Sequence, residues 1–379
     1  MRIARRLLLA PLLFTTFSPV WAQDARNFGM GGVGTAVTEG PTALLWNPAL
    51  LYFSADPKTA TVDVGASAVD STNLNDSALN YSDASAATSG LDDIRHSTDY
   101  RGFVGIQIKS YGAGISHEAL QDHELTGNTA QFLQDRSVGV LTGNYNLNLH
   151  DKESRVDTLS LAISQNMPLG QASAALGATL KIHQGNRLRQ SDLTGSYQPG
   201  LPAANFDRWS STSGSGFSWD LGALVKPSPN IAVGAVIENV NSTFKWNANH
   251  QILGLDPATG METPISSTLE TLAAPMEHAV RFGFALMSED QGTAISADSR
   301  RAEGSTLWRF GYERSWAPQH LAIRLGTYRD PVSDRRVITG GAGYLGKNFK
   351  VQLAVSANHW PVVQDSSAFG AALDFSLKL

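Results

Sequence analysis

The chain has 379 residues, a formal net charge of −5, 42% hydrophobic residues and no cysteine. Mild acidity argues against a nucleic-acid partner, and the missing cysteines exclude disulfides, thiolate metal sites and a cysteine nucleophile. After the amino terminus no stretch approaches the roughly 18 consecutive apolar residues of a spanning helix.

Arg2, Arg5 and Arg6 precede an apolar run from Leu7 to Phe17, and Val20-Trp21-Ala22 ends in a small-x-small pattern. This predicts a secretory signal peptide over 1–22, cleaved after Ala22. Loss of its three arginines takes the net charge from −5 to about −8. Residues 23–56 then show no period of two. Pro41 suits a first helical position, and Asn47-Pro48 repeats the device, with Asn47 as cap and Pro48 at the first position. The segment reads as a compact plug, followed by a barrel over 57–379.

Fourteen segments from there on alternate in polarity: 59–70, 100–109, 111–120, 156–166, 171–185, 216–226, 231–240, 278–288, 293–299, 304–315, 320–330, 335–346, 349–360 and 366–379. Short connections such as Pro227 to Asn230 and Gly346 to Asn348 alternate with long ones, including 71–99, 186–215 and 241–277. One rim of tight turns and one of long loops is the outer-membrane arrangement, with the short turns periplasmic. Residues 134–149 also alternate. Either they belong to a long loop, or a further strand in 121–133 raises the total to sixteen; fourteen is the preferred count.

Within the segments, charge falls on the opposite parity to the large apolar residues. Phe217, Trp219 and Leu221 stand against Asp220; Phe282 and Phe284 against Arg281; Trp308 and Phe310 against Arg309; Ile323 and Leu325 against Arg324. An arginine facing lipid at mid-depth costs roughly 2–4 kcal/mol, which accounts for the sorting. Asp157 breaks it, sharing parity with Leu159 and Leu161, and is read as sitting at a strand end. The last segment is the cleanest. Phe369, Ala371, Leu373, Phe375, Leu377 and Leu379 alternate with small or polar residues to the carboxyl terminus, as a barrel-closing strand requires. The fold class is therefore all-β, a transmembrane antiparallel β-barrel of about 14 strands with an N-terminal plug, monomeric and in the bacterial outer membrane.

The plug carries a resemblance. FGMGGVGTAVTEGPTALLWNPALL, with Asn47-Pro48-Ala49 near its end, resembles the hatch of the FadL/TodX family of outer-membrane transport proteins and of their PorV-like relatives. GFSWDLGALVKPSPNIAVG is similar to a hairpin of the PorV-like branch. The plug is shorter than in fatty-acid transporters, and the chain ends in Leu379 where many such barrels end in an aromatic residue. The resemblance implies passive, non-enzymatic uptake of a hydrophobic small molecule, fatty-acid-like or hydrocarbon-like, without a cofactor. Its partners would be outer-membrane lipid, lipopolysaccharide and the barrel assembly machinery. The hatch positions it implies are Gly29, Gly31, Gly32, Gly34, Asn47, Pro48 and Ala49. The alternative is a PorV-like accessory that holds or shuttles exported proteins.

Loop 241–277 is oilier than an aqueous loop needs. Trp246, Leu253, Leu255, Leu269 and Leu272 either cover one another or form an external groove that captures substrate; Ser266 or Ser267 would cap a short helix through Leu269 and Leu272. Arg281, Arg309 and Arg324 are expected in the lumen, paired with Glu313, Glu238 or Asp220, or with a substrate carboxylate. Trp219, Trp308, Trp316 and Trp360 suit an interfacial girdle. Gly29-Met30-Gly31-Gly32-Val33-Gly34 matches a dinucleotide-binding pattern but lacks the βαβ context that it needs. His117, Glu118 and His123 lack the metalloprotease spacing, since position 121 is Gln121. A barrel hydrolase would need a serine and a histidine within hydrogen-bond reach on the rim.

Overall fold

The computed structural model describes residues 24–54, 58–72, 93–199, 204–256, 258–290, 292–302, 304–316, 320–329, 336–358 and 367–379. The expected signal peptide and Trp360 lie outside the described residues. The period of two resolves into one antiparallel sheet of seventeen strands. They are β1 Ala60–Thr72, β2 Asp93–Ile108, β3 Tyr111–Gly127, β4 Tyr145–Leu169, β5 Ala172–Tyr197, β6 Ala204–Ser211, β7 Gly214–Ser228, β8 Ile231–Val240, β9 Lys245–Leu255, β10 Glu262–Ala273, β11 Ala279–Met287, β12 Thr293–Ala302, β13 Ser305–Trp316, β14 Leu321–Arg329, β15 Arg336–Leu345, β16 Phe349–Ala357 and β17 Ser367–Lys378.

The wall closes on itself. Pairing runs β1–β2–β3–β4–β5, then β5–β7–β8–β11, then in chain order from β11 to β17, and β17 pairs with β1. The last residue takes part: Leu379 donates to the Ala60 carbonyl at 2.8 Å. A closed circuit leaves no edge in the apolar layer.

Each segment expected from parity falls on one strand of this circuit, while the sheet as a whole holds three strands more than the fourteen expected. Strands β6, β9 and β10 belong to the same sheet, carried by the upper part of β5 through β6–β9–β10 pairing. Two of them, β9 and β10, lie in 241–277, where the sequence predicts a loop with a short helix. Residues 262–273 are instead strand β10, so Ser266 and Ser267 cap nothing. The uncertain stretch resolves differently from both alternatives. Residues 121–127 continue β3, Thr129–Ser137 form a helix, here α4, and 145–149 begin β4. Asp157 is not at a strand end. It lies within the 25-residue β4, beside a bulge at Arg155/Val156, and its carboxylate meets His117 Nδ1 at 2.6 Å.

Outward residues form an apolar belt. Phe282 is 59% exposed, Trp308 58%, Leu325 56% and Leu353 57%, while inward Asp220, Arg281, Arg309 and Arg324 are buried. Such a belt suits hydrocarbon rather than water. Trp219, Trp308 and Trp316 all point outward. No helix among the described residues is long and apolar enough to cross a membrane. Above the belt, α4 buries Phe132 against Tyr145, Tyr197, Phe206, Leu253 and Leu255, with the Phe132 and Tyr197 rings 5.1 Å apart.

Candidate functional site

The lumen is occupied by residues 24–54. This segment forms α1 (Ala25–Gly29), a 3-10 turn (Gly40–Thr42), α2 (Ala43–Trp46) and α3 (Leu50–Ser54). Pro41 lies in the first turn of the 3-10 helix, as its fixed φ favours. Asn47 ends α2, and its Oδ1 accepts the Ala49 amide at 3.0 Å; α3 starts at Leu50, two residues later than expected. Buried among the wall are Ala43, Leu44, Ala49, Leu50 and Leu51.

Backbone this close to a wall needs glycine on one side of the contact. A Cβ at Gly283 would lie 2.6 Å from Thr35 Cβ, one at Gly311 2.5 Å from the Met30 carbonyl, and one at Gly370 2.6 Å from Phe28. At Gly177, Gly222, Gly234 and Gly326 it would overlap Pro48–Ala49, Asn47, Thr35 and Met30–Gly31 respectively. On adjacent strands of the wall Gly177 pairs with Gly222, Gly234 with Gly283 and Gly311 with Gly326. The plug's own glycines answer two needs. Gly31 and Gly32 have φ of 75° and 78°, while Gly34 faces the Trp46 ring and Gly29 the backbone of Gly341. The dinucleotide reading therefore has no structural support: α1 ends on Gly29 instead of following the glycines, and wall strands occupy the space that a pyrophosphate would need.

Polar anchors fix the plug. Asp298 Oδ2 accepts the Gly34 amide at 2.8 Å, the Thr35 amide at 2.9 Å and the Thr35 hydroxyl at 2.8 Å. Asn47 Nδ2 donates to the Thr35 and Ala223 carbonyls at 2.9 and 3.0 Å. Asp374 accepts the Ala25 amide at 2.8 Å, and Thr339 donates to the Gly29 carbonyl at 2.9 Å. Arg26 grips Glu313 through two bonds of 3.0 and 2.8 Å, and Lys350 reaches Glu39 at 3.0 Å. The Lys350 ammonium and the Arg26 guanidinium hold the Glu39 carboxyl well below the usual range. Arg26, Glu39, Glu313, Lys350 and Asp374 line a cavity of about 360 Å³ between the plug and the short-turn rim.

On the other side of the plug lies a charged layer. Arg281 pairs with Glu238, Arg300 binds Glu238 at 3.0 Å and Glu277 at 2.7 Å, and Lys181 meets Asp220 at 2.5 Å. Arg281 also lies over the Trp46 ring at 4.8 Å. Arg324, on the cavity side, pairs with Glu313 at 2.5 Å. Arg309 differs: it is 1% exposed and none of its three guanidinium nitrogens has a hydrogen-bond partner. Asp298 stands directly across from it, but its Oδ2 is turned to the plug.

The other expected binding residues separate. Trp246 and Leu272 pack with Leu188 and Phe244. Leu253 and Leu255 belong to the cluster around Phe132. Leu269 is 82% exposed on β10 and joins neither. Sequence reasoning missed Asp298, Glu277, Arg300 and Thr339. No group of three His, Asp or Glu among the described residues is placed to hold a metal; His117 pairs with Asp157 and His123 with Asp151. A serine and a histidine do meet, Ser218 Oγ and His183 Nε2 at 2.8 Å. Ser218 is wholly buried, however, and Thr158 rather than a carboxylate sits at Nδ1, 2.9 Å away. A substrate carbonyl has no space to reach it.

No protein-family model matches the sequence, and no curated protein does. Solved structures match in shape. The P. putida toluene transporter TodX is 15% identical, with a TM-score of 0.63 over 95% of this chain and 98% of that one. The Ralstonia pickettii toluene transporter TbuX is 14% identical, with a TM-score of 0.58 over 94% and 98%. A Pseudomonas aeruginosa FadL homologue is 14% identical, with a TM-score of 0.55 over 95% and 98%. The chain therefore shares, over nearly its whole length, the all-β barrel fold of the FadL/TodX-type proteins.

Proposed function

We propose that this protein is a non-enzymatic outer-membrane channel for passive uptake of hydrophobic small molecules, fatty-acid-like or hydrocarbon-like. The observation that carries the reading is the plug: its backbone lies on wall glycines and fills the lumen, as suits a barrel that excludes water-soluble solutes. The fold shared end to end with toluene transporters supports it. In this reading 1–22 is removed on export, 23–56 acts as the hatch, and the belt contacts lipid and lipopolysaccharide. The closing strand would be read by the barrel assembly machinery. Arg309 would receive an acidic head group, its unpaired guanidinium offering up to five donors.

One observation favours a PorV-like accessory role instead: most charges between the Trp246 cluster and the plug are already paired. Substitution separates the two readings. Asn47→Ala and Pro48→Ala are expected to change uptake of toluene or a long-chain fatty acid while the barrel still assembles. Unchanged uptake together with retention of exported proteins in the periplasm would favour the accessory.

A further inference from the structure

Three carboxylates meet where the plug enters the barrel from the short-turn rim. Asp24 caps α1 through Oδ1, which accepts the Asn27 amide at 2.8 Å, but its Oδ2 has no partner. Asp63, on β1, likewise has an unpartnered Oδ1. Asp374, on β17, accepts only neutral donors in the hydrogen bonds it makes, the Ala25 amide and Gln352 Nε2 at 2.9 Å. All three are more than nine-tenths buried and line the same cavity. The cations that line the cavity beside them pair with other carboxylates, Arg26 and Arg324 with Glu313 and Lys350 with Glu39, and Arg324 keeps one nitrogen, Nη1, without a hydrogen-bond partner. Buried carboxylates without a counter-ion are costly, and the cluster lacks the arrangement of a metal site.

A compact cation is supplied by the chain itself once cleavage follows Ala22. The new α-ammonium belongs to Gln23 and lies no more than about 5 Å from the Asp24 Cα by covalent geometry alone. We infer that Asp24, Asp63 and Asp374 form a binding site for the processed amino terminus, so that signal-peptide removal completes the seating of the plug. Before cleavage the same nitrogen is a neutral amide. The cluster then repels itself, and burial together with Asp374 pushes Asp24 up to about 7. The inference rests on the proposed cleavage site.

Two measurements on barrel purified from outer membranes separate the two ideas. Intact mass tests the cleavage: a chain beginning at Gln23 is expected, and any other start removes the occupant and overturns the inference. Acetic anhydride labelling of the α-amine then tests the site, read by mass spectrometry on folded and heat-unfolded protein across about pH 6 to 9, which brackets the ordinary α-amino pKa. In the folded barrel the amine is expected to react at least about tenfold more slowly, the rate change of one pKa unit. It is also expected to escape cyclisation to pyroglutamate. Asp63→Asn should restore fast labelling, and Gln23→Ala, which cannot cyclise, should remain protected. Equal labelling of folded and unfolded wild type, or a quantitatively cyclised terminus, would overturn the site with the cleavage intact.

Discussion

A methyl group at Gly222 would overlap Asn47, and one at Gly326 would overlap Met30 and Gly31. Gly222→Ala and Gly326→Ala are therefore expected to expel or tilt the plug. Protease cutting within 24–54 should rise while heat-modifiable migration of the barrel persists. Gly102→Ala is the control, because nothing lies within 4 Å of its Cβ position. Asp298→Ala strands two buried amides and a hydroxyl at a cost of roughly 1–3 kcal/mol each; lower plug protection in hydrogen exchange at Gly34 and Thr35 would report it. Arg309→Gln is expected to lower uptake of a fatty acid about tenfold or more, since a charged hydrogen bond contributes roughly 1.5–3 kcal/mol. Toluene uptake should be unchanged. Equal loss of both would remove Arg309 as an acid receptor.

The glycines at 29–34 are marked in the sequence through the resemblance that the stretch from Phe28 to Asn47-Pro48-Ala49 carries. Glycines recurring inside the strand segments suit bends and close backbone approach, but which of them meet the plug was not assigned, although a signal exists. Asp220-Leu221-Gly222, Arg281-Phe282-Gly283, Arg309-Phe310-Gly311 and Arg324-Leu325-Gly326 each place an inward charge, an outward apolar residue and an inward glycine in succession. Parity assigned the charge inward, and the glycine two positions on shares its face.

At the scale of elements, the wall strands were legible because lipid on one face and lumen on the other impose a strict alternation. Strands β6, β9 and β10 lie beyond the apolar layer, where neither face meets lipid and the alternation lapses; β10 is exposed on both faces over most of its length. Their buried side chains pack inward only at intervals. Trp246→Ala removes the centre of the cluster with Leu188, Phe244 and Leu272, and such truncations cost roughly 3–5 kcal/mol. Faster proteolysis within 245–273 with the wall intact is the expected result. Leu269→Ala, at a site 82% exposed, should leave proteolysis unchanged; sensitivity at both sites alike would dissolve the distinction between packed and exposed residues.

For the whole molecule, closure through β1 and β17 and the outward belt make a wall whose stability depends on depth in the bilayer. Leu325→Arg, at the middle of β14 and outward, is expected to cost roughly 2–4 kcal/mol of refolding free energy in lipid vesicles. The inward lining was only partly legible: parity located Arg281, Arg309 and Arg324, but which of them lacks a partner depends on strand register. Paired flux into cells is the most direct test of a plugged channel for apolar solutes. A deletion strain, with and without the wild-type gene restored, would be given a labelled hydrophobe, toluene or a long-chain fatty acid, together with a labelled small sugar. Restoration is expected to raise hydrophobe entry and leave sugar entry at the deletion level. Sugar entry rising with the gene, or hydrophobe entry indifferent to it, is incompatible with a lumen sealed to water and open to oil.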